Sequence, residues 1–183
     1  MAMIDPITLH TRDGAPVQIR CAAAADAERM LDCVREVIAT SAGTLTTPAE
    51  FQITPQQERE WISGHLDNIN ALLLVAEAGG DIVGNINFRS SERTRLAHTG
   101  TLGMGLRPAW QGRGIGHALL HALLAWARGN PRIEKVGLQV LGNNQRAIRL
   151  YYRCGFTVNG VKPREIKLDD GSYTDDISMH LFV

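Results

Sequence analysis

The stretch Leu102–Ala127, "LGMGLRPAWQGRGIGHALLHALLAWA", decides how this chain is read. A strand candidate at 98–107 ends near Leu106. Gly112, Gly114 and Gly116 follow on alternate positions, directly before an alanine- and leucine-rich run at helical spacing. Glycine permits positive φ and lets a ligand touch the backbone. A helix that begins near Gly114 offers unpaired N–H groups and a positive dipole end, and Arg113 adds a formal charge in the same turn. Strand, glycine loop and helix start together suit a phosphate or pyrophosphate. The three glycines alone are equally compatible with a turn that holds no ligand. Two familiar phosphate loops are excluded. No Gly-Lys follows, as GxxxxGK[ST] requires. The spacing is GxGxG rather than GxGxxG, and no acidic residue closes a βαβ unit at the expected distance.

The rest of the chain frames that loop. Its 183 residues suit one domain spanning 1–183, with 1–15 as a polar lead-in. Hydrophobic residues make up 44% and charged residues 21%, an ordinary globular composition. Lys+Arg and Asp+Glu are both 19, so the formal net charge is zero. That balance removes any bulk electrostatic case for nucleic acid or an anionic membrane as partner. Cys21, Cys33 and Cys154 are scattered and contain no CxxC, as reduced, inert thiols would be. No basic region leads into an apolar core at the N-terminus, and no apolar run is long enough to span a bilayer. A soluble, cytoplasmic protein is the expectation.

Local patterns set the element order. "VQIRCA" from Val17 reads as a strand. Asp26 is placed to cap "DAERMLDCVREVIAT", whose Ala27, Met30, Leu31, Val34, Val37 and Ile38 recur at helical spacing. A Thr/Pro-punctuated loop leads to Thr54-Pro55, which opens a second helix with Gln57 and Glu58 in its first turn. Strands at 71–78 and 82–90 flank Gly79-Gly80-Asp81, a hairpin signal. The helix after the glycine loop ends near Gly129. A strand at 135–141, the helix "NNQRAIRLYYRC" stopped by Gly155, and strands "GFTVNGV" and "TDDISMHLFV" complete the chain. The order is β-α-α-β-β-β-α-β-α-β-β, an α/β fold with helices on both faces of a mixed sheet.

Two segments carry a family resemblance. "QGRGIG" matches Q/R-x-x-G-x-G/A, and "NNQRAIRLYYRCGF" matches N-x-x-A-I-x-L-Y-x-x-x-G-F, in the right order and spacing. Both motifs, with the "AEAGGDIVGNINF" hairpin, resemble the GNAT superfamily of acetyl-CoA-dependent N-acetyltransferases over roughly residues 17–183. The resemblance implies a splayed mixed sheet whose loop, here Gln111, Gly112, Arg113, Gly114, Ile115 and Gly116, wraps the pyrophosphate of coenzyme A. It implies that the backbone of Met104 and Leu106 pairs with the pantetheine amides, with Gly105 marking a bulge that splays the strand from its neighbour. His117 is expected near the phosphates. Asn144 matches a cofactor-contacting asparagine and is equally suited to cap its helix.

Acetyl transfer to an amine requires a neutral amine, a stabilised carbonyl oxygen and a proton for the departing thiolate. The resemblance places a backbone N–H near Leu106 at the carbonyl and makes Tyr151 the acid, against a packing role beside Ala147, Ile148 and Leu150. Glu50, an isolated carboxylate in "TLTTPAEF", is the candidate base or ammonium partner, against a capping role. Glu92 and His98 are the fallbacks. His117 and His121 stand four apart, a zinc-site spacing, but without the HExxH glutamate or a third ligand, so no metal is expected. Trp126 belongs with Leu119, Ala122 and Leu123 on a packing stripe.

The "TTPAEFQITPQQEREWI" loop and the C-terminal region resemble the branch of ribosomal-protein and L-amino-acid N-acetyltransferases. Direct transfer to a small primary amine such as an amino acid is the favoured reading, with Arg89, Arg93 and Arg95 as carboxylate partners or a solvated loop. A protein N-terminus or lysine is the alternative acceptor, and a non-catalytic acyl-CoA sensor is an alternative of another class. A homodimer is a further expectation, since dimers are common in the family.

Overall fold

A computed structural model describes residues 3–41 and 43–183. Residues 1 and 2 of the lead-in, and Ala42 in the loop after the first helix, lie outside the described residues. The chain forms β1 (Ile7–His10), β2 (Pro16–Cys21), α1 (Ala27–Thr40), α2 (Pro55–Leu66), β3 (Ala71–Ala78), β4 (Asp81–Ser90) and β5 (Thr99–Leu106). It continues through α3 (Ile115–Gly129), β6 (Lys135–Leu141), α4 (Gln145–Arg153), β7 (Thr157–Lys167) and β8 (Tyr173–Phe182). The strands make one mixed sheet in the order β1-β2-β3-β4-β5-β6-β8-β7. Among the described pairings only β5 with β6 is parallel.

The elements follow the sequence patterns closely, with corrections at β1, Gly105 and Asp26. The polar lead-in holds β1, which pairs with β2 from Ile7↔Ile19 to His10↔Pro16. Three of its four residues are exposed, so no hydrophobic alternation announces the strand. Its order comes from ladder hydrogen bonds and from Leu9, which packs partly buried on the core. The second correction concerns Gly105. The β4–β5 ladder runs unbroken from Gly84↔Leu106 to Ser90↔Gly100, so no bulge sits there. β5 parts from β6 because their pairing stops at Thr101↔Gly137, while β6 stays paired with β8 through Leu141↔Asp176.

Strand alternation sends side chains to two cores. Leu72, Leu74, Ile86 and Phe88 face α3 and α4, where Leu119, Leu123 and Ile148 meet them. Leu73 and Val75 face the other way, against Met30 and Cys33 of α1 and Ile62 of α2. Trp126 joins the first core, edge-on to Phe88 at 5.7 Å between ring centroids. α2 starts as its sequence dictates. Thr54 Oγ1 accepts from the Gln57 N–H, Gln57 Oε1 accepts from the Thr54 N–H at 2.9 Å, and Pro55 follows the cap. Asp26 stands at the start of α1 but makes no side-chain cap there. Its carboxylate instead takes Arg20, Arg29 and the Ala23 N–H.

Candidate active site

The parting of β5 from β6 opens a cavity of about 700 Å³, within the roughly 300–1,000 Å³ range of small-molecule sites. Leu102–Leu106 form one wall, Gln139 and Val140 of β6 face them, and the loop before α3, α4 and the segment after α1 close the rest. The Arg107 N–H donates to Val83 O across the β4–β5 ladder at 2.9 Å. Backbone groups alternate sides along a strand, so the N–H and C=O of Met104 and Leu106 face the gap instead. Leu106 O already accepts from Gln111 Nε2 at 3.1 Å. Met104 and Leu106 thus present strand-edge hydrogen-bonding groups to the cavity.

The glycine loop needs its glycines. Gly112 and Gly114 take φ of +77° and +93°, a region costly to other L-residues. A Cβ on Gly112 would lie 2.6 Å from Arg146 Nη2, whereas one on Gly114 meets nothing within 4 Å. Gly116 fronts the cavity, where a Cβ would approach Leu106 Cδ1 at 3.3 Å. Gln111, Gly112, Gly114, Gly116, His117 and Asn144 all line the cavity. The Asn144 side chain also accepts from the Ala147 N–H at 3.2 Å, so it caps α4 while facing the cavity.

Two loop residues behave differently from expectation. Ile115 is fully buried in the main core, because the first turn of α3 must anchor on the sheet, so only its backbone remains for a ligand. The Arg113 side chain is not part of the lining. Its Nη1 pairs with Asp13 Oδ2 at 2.6 Å, and its guanidinium lies 5.0 Å from the Trp110 ring centroid.

Tyr151 lines the cavity and is 5% exposed. Its hydroxyl makes no hydrogen bond to any described residue. Burial, with a smaller contribution from nearby Cys154, pushes its pKa up to about 12. It therefore stays protonated in any near-neutral medium. Its ring also packs 5.7 Å from that of Phe156, so the packing role and a place in the cavity lining coexist. Tyr152 is exposed.

The structure does not bring Glu50 to this cavity. Glu50 is exposed, and Oε2 accepts from the Thr47 N–H at 2.9 Å and the Thr47 hydroxyl at 2.8 Å. The backbone bond first, and the hydroxyl second, hold its carboxyl below the ordinary value. It caps its own turn. Glu92 pairs with Arg89 at 2.8 Å on the surface, and neither it nor His98 lines the cavity. The described lining contains no Asp or Glu at all.

Residues that the sequence did not single out complete the site. Ser41, Gly43 and Thr44 line it from the connection after α1. Three cations line it as well: Arg12, Arg146 and Arg153. Arg146 Nη1 donates to Gln111 Oε1 at 2.9 Å, which fastens α4 to the glycine loop. Its place in the second motif, two residues after Asn144, was the available signal. Arg12 had none. His117 and His121 stack at 6.2 Å between ring centroids, and only His117 faces the cavity.

Comparison with known proteins finds acetyltransferases. A family model described as "Acetyltransferase (GNAT) family" matches residues 38–156. The chain is 32% identical over 154 residues to the N-alpha-acetyltransferase RimI of Mycobacterium tuberculosis, covering 84% of this chain and 87% of that one. It is 27% identical over 125 residues to the L-amino acid N-acetyltransferase AaaT of Escherichia coli, covering 68% and 76%. The structure of yncA from Salmonella typhimurium with its cofactor acetyl-CoA superposes with a TM-score of 0.80 at 23% identity, covering 91% of this chain and 93% of that one.

Proposed function

The chain belongs to the acetyltransferase (GNAT) family, and from that premise we propose that it moves an acetyl group from acetyl-CoA directly to the primary amine of a small molecule such as an amino acid. The observation that carries this reading is the β5–β6 gap. It joins the β5 strand edge, a glycine loop at a helix start and a protonated buried phenol in one cavity.

In this reading the coenzyme A pyrophosphate lies against the N–H groups from Gln111 to His117, where the α3 dipole favours negative charge. The pantetheine arm continues the sheet by pairing with Met104 and Leu106, and a backbone N–H of β5 polarises the thioester carbonyl. The amine attacks the carbonyl carbon, the C–S bond breaks, and the thiolate leaves. Tyr151 donates a hydrogen bond to that sulfur. Complete transfer from a phenol near 12 to a thiolate of reference pKa about 8.5 is uphill by about 5 kcal/mol. Burial raises the thiol as well and narrows the gap. Tyr151 therefore stabilises the developing thiolate first and yields its proton as charge accumulates. The amine loses its proton to water, since no carboxylate lines the cavity among the described residues.

The relative named for L-amino acids supports the small acceptor. The relative named for N-alpha acetylation supports a second reading, a peptide N-terminus. An acetyl-CoA turnover screen over amines, free amino acids and N-terminal peptides, read as released thiol, decides between them. Turnover with amino acids alone supports the first reading, and turnover with peptides alone replaces it. Coenzyme A binding without turnover on any amine points to an acyl-CoA sensor.

A further inference from the structure

We propose that the turn between β1 and β2 is a working part of the donor site. Arg12 binds a phosphate of the donor's nucleotide end, and the Asp13–Arg113 pair holds the turn against the glycine loop. The inference rests on the reading that a coenzyme A thioester is the donor, and extends it to residues outside both family motifs.

Arg12 lines the same cavity as Gly112 and Gly114, although a hundred residues of chain separate them. Among the described residues the turn is tied to the loop through Asp13 Oδ2 to Arg113 Nη1 at 2.6 Å. The turn is also braced from within. Thr11 is 4% exposed, its hydroxyl donates to Asp13 Oδ1 at 2.6 Å, and its oxygen accepts from the Ala15 N–H at 2.9 Å. Arg12 is therefore carried on a backbone already set, which lowers the ordering cost of a contact.

The distribution of charge assigns the roles. Arg113 belongs to the glycine loop, but its charge is offset by Asp13 and its side chain is not in the lining. Arg12 lines the cavity and has no carboxylate partner among the described residues. Arg146 lies over Gly112 and, among the described residues, donates to the neutral Gln111. Arg12 and Arg146, neither with a carboxylate partner among the described residues, thus approach the loop from different elements, and each can fork two N–H donors onto phosphate oxygens. Asp13 beside a phosphate site is a repulsive charge. Its presence is explained if it docks the turn.

This arrangement makes a prediction whose sign separates docking from simple electrostatics. Coenzyme A and 3′-dephospho-coenzyme A are titrated calorimetrically into the wild-type protein and the variants Arg12→Gln, Arg12→Lys and Asp13→Asn, with thermal melting as the folding control. Arg12→Gln is expected to weaken coenzyme A binding about tenfold, and Arg12→Lys to recover part of that loss. Asp13→Asn is expected to weaken binding about threefold to tenfold, although it removes a negative charge beside the phosphates. If the Arg12→Gln deficit vanishes with dephospho-coenzyme A, Arg12 meets the 3′-phosphate. If it persists, Arg12 meets the pyrophosphate. Either result supports the inference. Affinity within twofold of wild type in Arg12→Gln, or tighter binding in Asp13→Asn, overturns it while leaving the donor reading intact. Failure of the wild-type protein to bind either nucleotide overturns the donor reading, and this inference with it.

Discussion

Tyr151 shows how far one side chain was legible before the fold was known. Its position in the "NNQRAIRLYYRCGF" segment marked it, but its environment did not follow from neighbours in sequence. Burial in the β5–β6 gap raises its pKa to about 12, which fixes the phenol as a donor. Tyr151→Phe removes the hydroxyl and little volume. It is expected to lower kcat by about 100-fold, within the usual range for general acid–base catalysis, with coenzyme A affinity unchanged by calorimetry. A folded-state pKa near 12 also means that Tyr151 adds no alkaline limb to the rate profile below about pH 10. A limb in that range that disappears in Tyr151→Phe would contradict the assigned environment. Glu50 is the opposite case. Its sequence setting suggested a base, but only three-dimensional structure could reveal that Thr47, three residues away, already occupies the carboxylate.

The loop before α3 and the helix α2 show what single elements demand. Gly114 takes φ +93°, and a Cβ there would meet nothing within 4 Å. Gly114→Ala therefore costs backbone strain rather than a clash, about 1–2 kcal/mol, or a melting temperature lower by about 2–8 °C. Coenzyme A affinity should fall with it, because the loop N–H groups shift. Calorimetry and a thermal melt on the same sample test both parts. In α2, Glu58 is 8% exposed and has no ion pair among the described residues. Burial raises its pKa above the ordinary carboxylate value. A raised folded-state pKa means the native state holds a proton that the unfolded state has released. Stability from this group is thus complete below the unfolded pKa and is lost as pH rises through the folded one. Glu58→Gln should melt higher than wild type at pH 7 and match it near pH 4. An equal or lower melting temperature at pH 7 would show the carboxylate to be satisfied there.

Across the whole molecule, one ion network joins parts that the sequence keeps far apart. Asp26 is 2% exposed and contacts Arg20 at 2.7 Å and Arg29 at 2.5 Å. Both arginines also reach Glu77 of β3, and Arg29 Nη1 donates to Gly80 O in the β3–β4 turn at 2.6 Å. The network ties β2, α1, β3 and that turn together. Burial acts to raise the Asp26 pKa, but the Arg20 bonds and charge, the Ala23 N–H and Arg29 outweigh it and leave it lowered. Its stabilisation is therefore present above the ordinary carboxylate pKa and lost as pH falls through the lowered one. Asp26→Asn should cost about 3 kcal/mol at pH 7, as removing one partner of a buried pair does. The deficit should shrink toward pH 3, as followed by denaturant unfolding at each pH.

The sequence by itself determined every element but β1, and the family. Hydrophobic period, helix caps and glycine turns act over a few residues, so the 71–78 and 135–141 strands, the Thr54–Gln57 capping box and the 112–116 loop could be read without a partner in view. Tertiary structure decided whatever depends on residues that meet only after folding. β1 is held by ladder bonds to β2 rather than by a hydrophobic pattern. The β5–β6 gap opens because β6 keeps its pairing with β8 while β5 does not follow, and no residue at Gly105 announces that choice. Arg113 finds its partner a hundred residues earlier at Asp13, which leaves Arg12 facing the cavity. Backbone propensity is local, whereas burial, charge pairing and the depth of a cavity are set by the approach of distant segments, and it is these that distinguish a motif from a working site.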